Sequence, residues 1–440
     1  MSETQSFGMF QSDPDTRGGK PSGASCPITP AGKAFVPFSE EYIADPYRFF
    51  AEVRDAEPVF FSPEMDCWVV MKYDDIVGVF RDPDTFSPVV ARHPVRSLCP
   101  AAAEVRDEQN IEIEPSLVDE EAATHRAHRK IFGDAFTPKR VNEIEPRVRE
   151  IVTRYIDRIV DKGEAELVSA MLYEIPALAI FIFLGAPDDK AVMVKNLGSK
   201  RAIVNWGFPT DEEQIAMMAD MGASWEFTVE LVDDALRNPG DNYLGDMVRL
   251  YQEDQSRFSV NYLRNVMFLM QFAGHETTTQ ASANGLKVLL SDRTKWEQLV
   301  ADPSLIPNAV EEILRFDSSI FAWRRIATRD TEIAGVPVPE GGKVLVMLGS
   351  GNRDPDMFEN PEEFDPARKN AKRHLGLGHG AHFCMGAPLA RMEMKVILEE
   401  LVRRLPHMHL KPDQSFRYIP TLTFRGVQNL EVAWDVVQNP

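Results

Sequence analysis

Apolar positions recur at helical spacing through most of the chain and alternate or cluster in short runs elsewhere, which predicts a mainly helical protein with a small β region. Tyr42–Ala56 places Ile43, Tyr47 and Phe50 at i, i+4 and i+7 and predicts a helix. Residues 59–62 and 67–72 read as a strand pair, Val69 and Val70 being β-formers, and residues 74–81 as a short helix closed by Asp82-Pro83. Residues 84–120, with Pro88, Pro94, Pro100 and Pro115, read as an irregular loop, a length usually kept for function. From Asp119 to about Asp292 the pattern is again mostly helical. Residues 258–290 predict one long helix, apolar on every side around Val266–Ala273 and therefore central. Further helices are expected over 306–316 and 388–405, the second with Ala390, Met394, Ile397, Leu398, Leu401 and Leu405 on one face. Between them, residues 331–347 hold short strands broken by Gly335, Pro337, Pro339 and Gly341-Gly342.

Residues 1–34 are rich in Ser, Gly, Pro, Thr and Asp and read as a disordered N-terminal tail, leaving 35–440 as one domain without repeats or a separating linker. The 440 residues, 44% hydrophobic, suffice for a large core, and a net charge of −20 argues against nucleic acid or an anionic membrane as partner. The apolar stretches near Leu178–Leu184 and Val266–Gly274 fall short of the roughly 20 residues of a membrane span. No basic flank followed by an apolar block opens the chain, and four cysteines in this length suggest no disulfide framework, so a cytoplasmic location is expected.

The most informative segment is Leu375-Gly-Leu-Gly-His-Gly-Ala-His-Phe-Cys384-Met-Gly386, in which Gly376, Gly378, Gly380 and Gly386 surround one cysteine just before the last helix. Glycines allow a tight turn and close approach to a flat ligand. A cysteine at a helix start meets free N–H groups and the positive end of the dipole, which favour thiolate, a strong donor to haem iron. Taken alone, Cys384 reads more readily as a buried structural thiol. Ala273-Gly-His-Glu-Thr-Thr-Thr279 interrupts the apolar central helix with groups that weaken it locally. There the Thr277 hydroxyl and the Glu276 acid form a pair able to deliver protons in a dry site. In isolation the same string is equally a polar patch where the helix surfaces.

Together these segments resemble the cytochrome P-450 family. Gly-x-Gly-x-His-x-Cys-x-Gly followed by Ala390-x-x-Glu393 is similar to its haem-binding signature, and Ala273-Gly-His-Glu276-Thr277 to its oxygen-activation motif. Leu377 stands where the family usually has Phe. The resemblance implies a triangular-prism P-450 fold, haem b with Cys384 as axial iron ligand and Gly386 beside it, Glu276 as proton-relay acid and Thr277 as the positioning alcohol. It gives the haem propionates to His125, Arg129, Arg325 and His382. It makes Glu312 and Arg315, by spacing alone a surface pair of about 0.3–0.5 kcal/mol, a buried brace whose third partner comes from residues 352–366.

Ala322-Trp-Arg-Arg325, residues 303–312 and Leu422-Thr-Phe-Arg-Gly426 are similar to a bacterial group often fused to a phthalate-dioxygenase-type reductase. No flavin, nicotinamide or iron–sulfur module is read in this chain, so electrons from NAD(P)H are expected through a reductase or ferredoxin, separate or in a missing fused module. Lys372, Arg373, Arg391 and Lys395 are candidate docking cations. The implied reaction inserts one oxygen atom of O2 into a small organic substrate by hydroxylation or oxidative dealkylation. Ala273, Ile320 and Phe321 are candidate pocket walls, with residues 84–118 and Trp323 around them and 205–208 at the entrance. Aromatic walls point to an aromatic or alkoxyarene substrate. Two alternatives are a peroxide-driven haem-thiolate peroxygenase, which usually lacks the acid–alcohol pair, and a non-catalytic haem sensor, which needs a signalling module.

Overall fold

The nearly all-apolar stretch becomes the middle of one helix, Val260–Ser291, buried along most of its length and capped by Ser259, whose hydroxyl accepts from the Tyr262 N–H at 2.8 Å. The computed structural model describes residues 27–436, so most of the expected tail lies outside the described residues. The rest of the tail differs from expectation. Pro30–Ala34 form a short helix capped by Thr29, and Ala31 is buried, so order begins before Phe35.

Helices pack around the central one. Ile175–Leu184 is apolar on every face and almost wholly buried against it. Their contact depends on Gly274, where an added Cβ lies 2.4 Å from Ile180 Cγ1. The central helix also runs unbroken through Gly274 and the threonines, contrary to the expected local weakening. The hydroxyls find acceptors without breaking its ladder. Thr277 Oγ1 donates back to the Ala273 carbonyl at 3.0 Å, and Thr279 Oγ1 donates to the Leu172 carbonyl of another element at 3.1 Å.

Helix Ile306–Phe316 occurs with the expected bounds, and Ala387–Arg404 within one residue of them, burying Met394, Ile397, Leu398 and Leu401. The predicted 42–56 helix is split into Glu40–Ala44 and Pro46–Val53, because Pro46 cannot continue a helix and instead starts one beneath the Asp45 cap.

The predicted strand pair, Val59–Ser62 with Cys67–Val70, is the outer part of a five-stranded sheet. Cys67–Val70 runs parallel to Lys343–Val346, which pairs with Trp323–Ala327, and that with Phe86–Ser87. The 84–120 loop is therefore more ordered than expected: it holds this edge strand and helix Pro100–Glu108. It is anchored by the buried Arg92, bonded to Asp119 at 2.5 and 2.7 Å, and by the Trp206 indole N–H on the Ala91 carbonyl at 2.8 Å.

Candidate active site

The Cys384 loop and the central helix face each other across a cavity of about 250 Å³. Ala273, Thr277, Thr278 and Ala281 line one side; Leu377, Gly378, Cys384 and Gly386 line the other. The loop turns because Gly378 and Gly380 take φ of +74° and +68°, and a Cβ at Gly380 falls 2.7 Å from the Phe80 carbonyl oxygen. Cys384 N–H donates to the Leu377 carbonyl at 2.8 Å, so the residue replacing the usual Phe also fixes the cysteine backbone.

The helix start does not by itself make Cys384 a thiolate. The N–H groups of Gly386 and Ala387 and the Arg129 and Arg391 charges do favour ionised Cys384, but burial is the larger influence and pushes the thiol up. Burial thus favours the thiol in the chain by itself; a cation held at the sulfur would favour the thiolate.

One edge of the cavity is strongly positive. Arg129, Arg325 and His382 line it, while His125 lies behind, its ring stacked on His382 at 3.8 Å and 22°. Arg129 donates to the Phe383 carbonyl at 2.6 Å, and Arg325 to the Arg324 carbonyl at 2.8 Å. Burial pulls Arg325 down to about 10, still a cation at neutral pH. Burial first, then neighbouring positive groups, lower His382 to about 2; burial lowers His125 to about 4. Both His125 nitrogens and His382 Nε2 are buried without partners. Two guanidinium groups and unsatisfied imidazole nitrogens at one rim, beside a cysteine in a glycine turn, fit a flat macrocycle bearing two carboxylates.

The acid and alcohol separate in space. Thr277 lines the cavity, whereas Glu276 is buried behind it, Oε1 accepting from Gln280 Nε2 at 2.8 Å and Oε2 standing 3.7 Å from His275 Nδ1. Lys195, fully buried, approaches the same region and donates to Thr279 Oγ1 at 2.9 Å. Burial lowers it to about 8, with Glu276 the strongest opposing influence. Glu393 also lines the cavity. It is fully buried with both oxygens unpartnered, and burial raises its carboxyl well above the usual range. Its place in the Ala-x-x-Glu motif was visible in the sequence; its position on the cavity wall was not.

Of the candidate substrate walls, Ala273 and Ile320 line the cavity, as do Trp323, Trp206 and Phe272. Phe321 does not. Adjacent residues of an extended chain face opposite ways, and Phe321 stacks on Phe50 at 5.4 Å and meets Tyr47 edge-on at 5.7 Å. At the expected entrance Phe208 is 63% exposed, while Asn205 is buried.

Two further expectations change. Glu312 and Arg315 are fully buried and bonded at 2.7 and 2.8 Å, but the third side chain is Arg368, at 2.9 Å from Glu312, just beyond residues 352–366. That segment instead supplies the carbonyls of Asn352, Pro361 and Glu363 to Arg315. Of the four docking cations, Arg391 is committed to Glu311 at 2.7 and 2.9 Å and Lys395 to Glu145 at 3.4 Å, which leaves Lys372 and Arg373 as the exposed pair.

No described helix is long and apolar enough to cross a membrane. The family model for cytochrome P-450 matches residues 225–423. The chain is 31% identical to the cytochrome P-450 monooxygenase PikC of Streptomyces venezuelae, over 93% of this chain and 95% of that one. An intact type IV self-sufficient cytochrome P-450 monooxygenase superposes with a TM-score of 0.92 at 40% identity, covering 97% of this chain but 56% of its own, so this chain spans little more than half of it. Cytochrome P-450 CREJ in complex with (4-ethylphenyl) dihydrogen phosphate superposes at 0.88 and 37% identity, covering 92% of this chain and all of that one. With these likenesses running along nearly the whole described chain and the cysteine loop facing its cavity, the protein belongs to the cytochrome P-450 family and is a haem b monooxygenase.

Proposed function

We propose that the Cys384 sulfur would hold the haem iron, that Arg129, Arg325 and His382 would hold the propionates with His125 bracing His382, and that the substrate is a small aromatic compound, hydroxylated or dealkylated in this cavity. When bound, the haem supplies reductive activation of O2 for transfer of one oxygen atom. Leu377, Gly378 and Gly386 flank the cysteine on its side of the cavity. Thr277 presents its hydroxyl to the opposite side, and Glu276, held by Gln280 behind it, is the proton store that Thr277 draws on. The apolar walls exclude water, so protons arrive only along this polar route. Electrons come from NAD(P)H through a reductase, in a separate chain or a fused module.

The observation that carries the cofactor assignment is the positive rim of two arginines and unpartnered histidines around the loop that presents Cys384 to the cavity. The substrate class is supported by the walls of Trp206, Phe272, Trp323 and Phe424 and by the arene in the CREJ complex. Titrating the ferric protein with small alkoxyarenes should displace water from the iron and shift the Soret band toward the high-spin form. A spectrum unmoved by every such compound removes the aromatic assignment.

Thr277→Val and Glu276→Gln should leave the reduced carbon monoxide spectrum intact while product formed per NAD(P)H falls. Loss of a positioned proton donor should slow product formation by about 10²-fold or more. Unchanged coupling in both variants places the proton route elsewhere.

A further inference from the structure

Behind the aromatic wall, helix Arg201–Trp206 places Arg201 and Asn205 on one face, one turn apart. Arg201 is 2% exposed and Asn205 fully buried. The guanidinium lies over the Phe268 ring at 4.4 Å and the Phe272 ring at 5.6 Å, and Phe272 lines the substrate cavity, as does Trp206 from Arg201's own helix.

Among the described residues, Arg201 has one hydrogen bond, Nη1 to the Phe268 carbonyl at 3.3 Å, while Nε and Nη2 have no partner. Both side-chain atoms of Asn205 are unpartnered too. Burial, and then the nearby Arg92 charge, pull Arg201 down to about 9, so it remains cationic at neutral pH. Arg92 itself is neutralised by two bonds to Asp119; Arg201 has no such carboxylate.

An uncompensated buried guanidinium costs several kcal/mol, and a neighbouring amide with nothing to bond adds to that. Ring faces offset part of the cost but leave the N–H fork unused. A planar fork with free Nε and Nη2 is the group that binds an oxyanion through two parallel bonds, and an amide N–H can add a third.

We propose that Arg201 and Asn205 form an oxyanion subsite at the end of the substrate cavity, one aromatic ring away from it, and that preferred substrates carry a carboxylate or phosphate opposite the carbon to be oxidised. This rests on the reading that the cavity takes a small organic substrate. The anion anchors the far end and the aromatic wall holds the body, so position of attack is set by distance from Arg201. Binding requires the Phe272 or Trp206 ring to yield at its edge.

The test uses the haem-loaded protein and ferric spin-state titration with matched probes: 4-methoxybenzoate against 4-methoxybenzyl alcohol, phenyl phosphate against phenol, and decanoate as a non-aromatic anion. Charge-assisted bonds should favour at least one anion over its neutral partner by about tenfold or more. Arg201→Met should reduce that preference to within about twofold, Asn205→Ala should reduce it in part, and Arg201→Lys should retain some of it. The carboxylate and phosphate arms decide which oxyanion is preferred.

Arg201→Met should keep the reduced carbon monoxide spectrum, and the ligand-free melting temperature should hold or rise, because an unpaired charge has been removed. A fall in that temperature assigns Arg201 a structural role and overturns the proposal. So do anions that bind no better than neutral arenes, a preference surviving in Arg201→Met, or no anion binding at all. Decanoate binding that depends on Arg201, with no response to any arene, keeps the subsite and discards the aromatic reading; neutral arenes binding as tightly as their anions does the reverse.

Discussion

Cys384→Ala should fold, yet its reduced, carbon monoxide-bound form should lack the strongly red-shifted Soret band of the parent, and reductase-driven turnover should fall to background. Neither of the other described cysteines can substitute. Cys67 is buried in the five-stranded sheet, where burial raises its thiol to about 12, and Cys99 lies at the start of helix Pro100–Glu108, away from the cavity wall. Far-ultraviolet circular dichroism should match the parent, because the backbone N–H of residue 384 still reaches the Leu377 carbonyl. Survival of the red-shifted band would remove the ligand assignment, and with it the roles given to the propionate residues and to Thr277.

Arg315→Leu should cost about 3–5 kcal/mol, because it leaves Glu312 buried and short of a partner. Glu312 would still meet Arg368 and the Asp365 N–H, but the carbonyls of Asn352, Pro361 and Glu363 would lose a shared donor at once. That segment leads into the cysteine loop: Asn352 Oδ1 accepts from the Leu375 N–H at 2.6 Å. Loss of haem on dilution should therefore accompany the lower stability. Arg48→Leu is the contrast. Its partner Glu52 lies 3.4 Å away with both side chains mostly exposed, and its removal should cost at most about 1 kcal/mol. Urea unfolding of the two variants side by side decides the point; equal midpoints would mean that the buried triad braces nothing.

What the sequence made legible were features carried by neighbours along the chain. The central helix followed from a stretch that is nearly all apolar around 266–273, helix 306–316 from its periodicity, and the cysteine loop from glycines within a dozen residues. What stayed hidden depends on partners far away in sequence. Phe321 could be placed near the cavity by position, but its direction is set by Phe50 and Tyr47, more than 250 residues earlier. Arg391 reads as a surface cation from sequence because its partner Glu311 lies 80 residues away, and Arg368 completes the triad from outside the expected segment. Arg201 carried no signal at all. A lone arginine in a helical stretch is ordinary, and only the lack of a bonded carboxylate at its buried head, among the described residues, distinguishes it.

The contact at Gly274 makes the oxidation chamber sensitive to a residue with no side chain to contribute. Ile180 fills the space a methyl group would need, so alanine there must push the two helices apart or roll the central one about its axis. Thr277, one turn on, would travel with it. Laboratory evolution toward bulkier substrates should accordingly find Ile180→Val or Ile180→Ala before any change at 274 is tolerated, and pairs of substitutions at these two positions should be strongly epistatic.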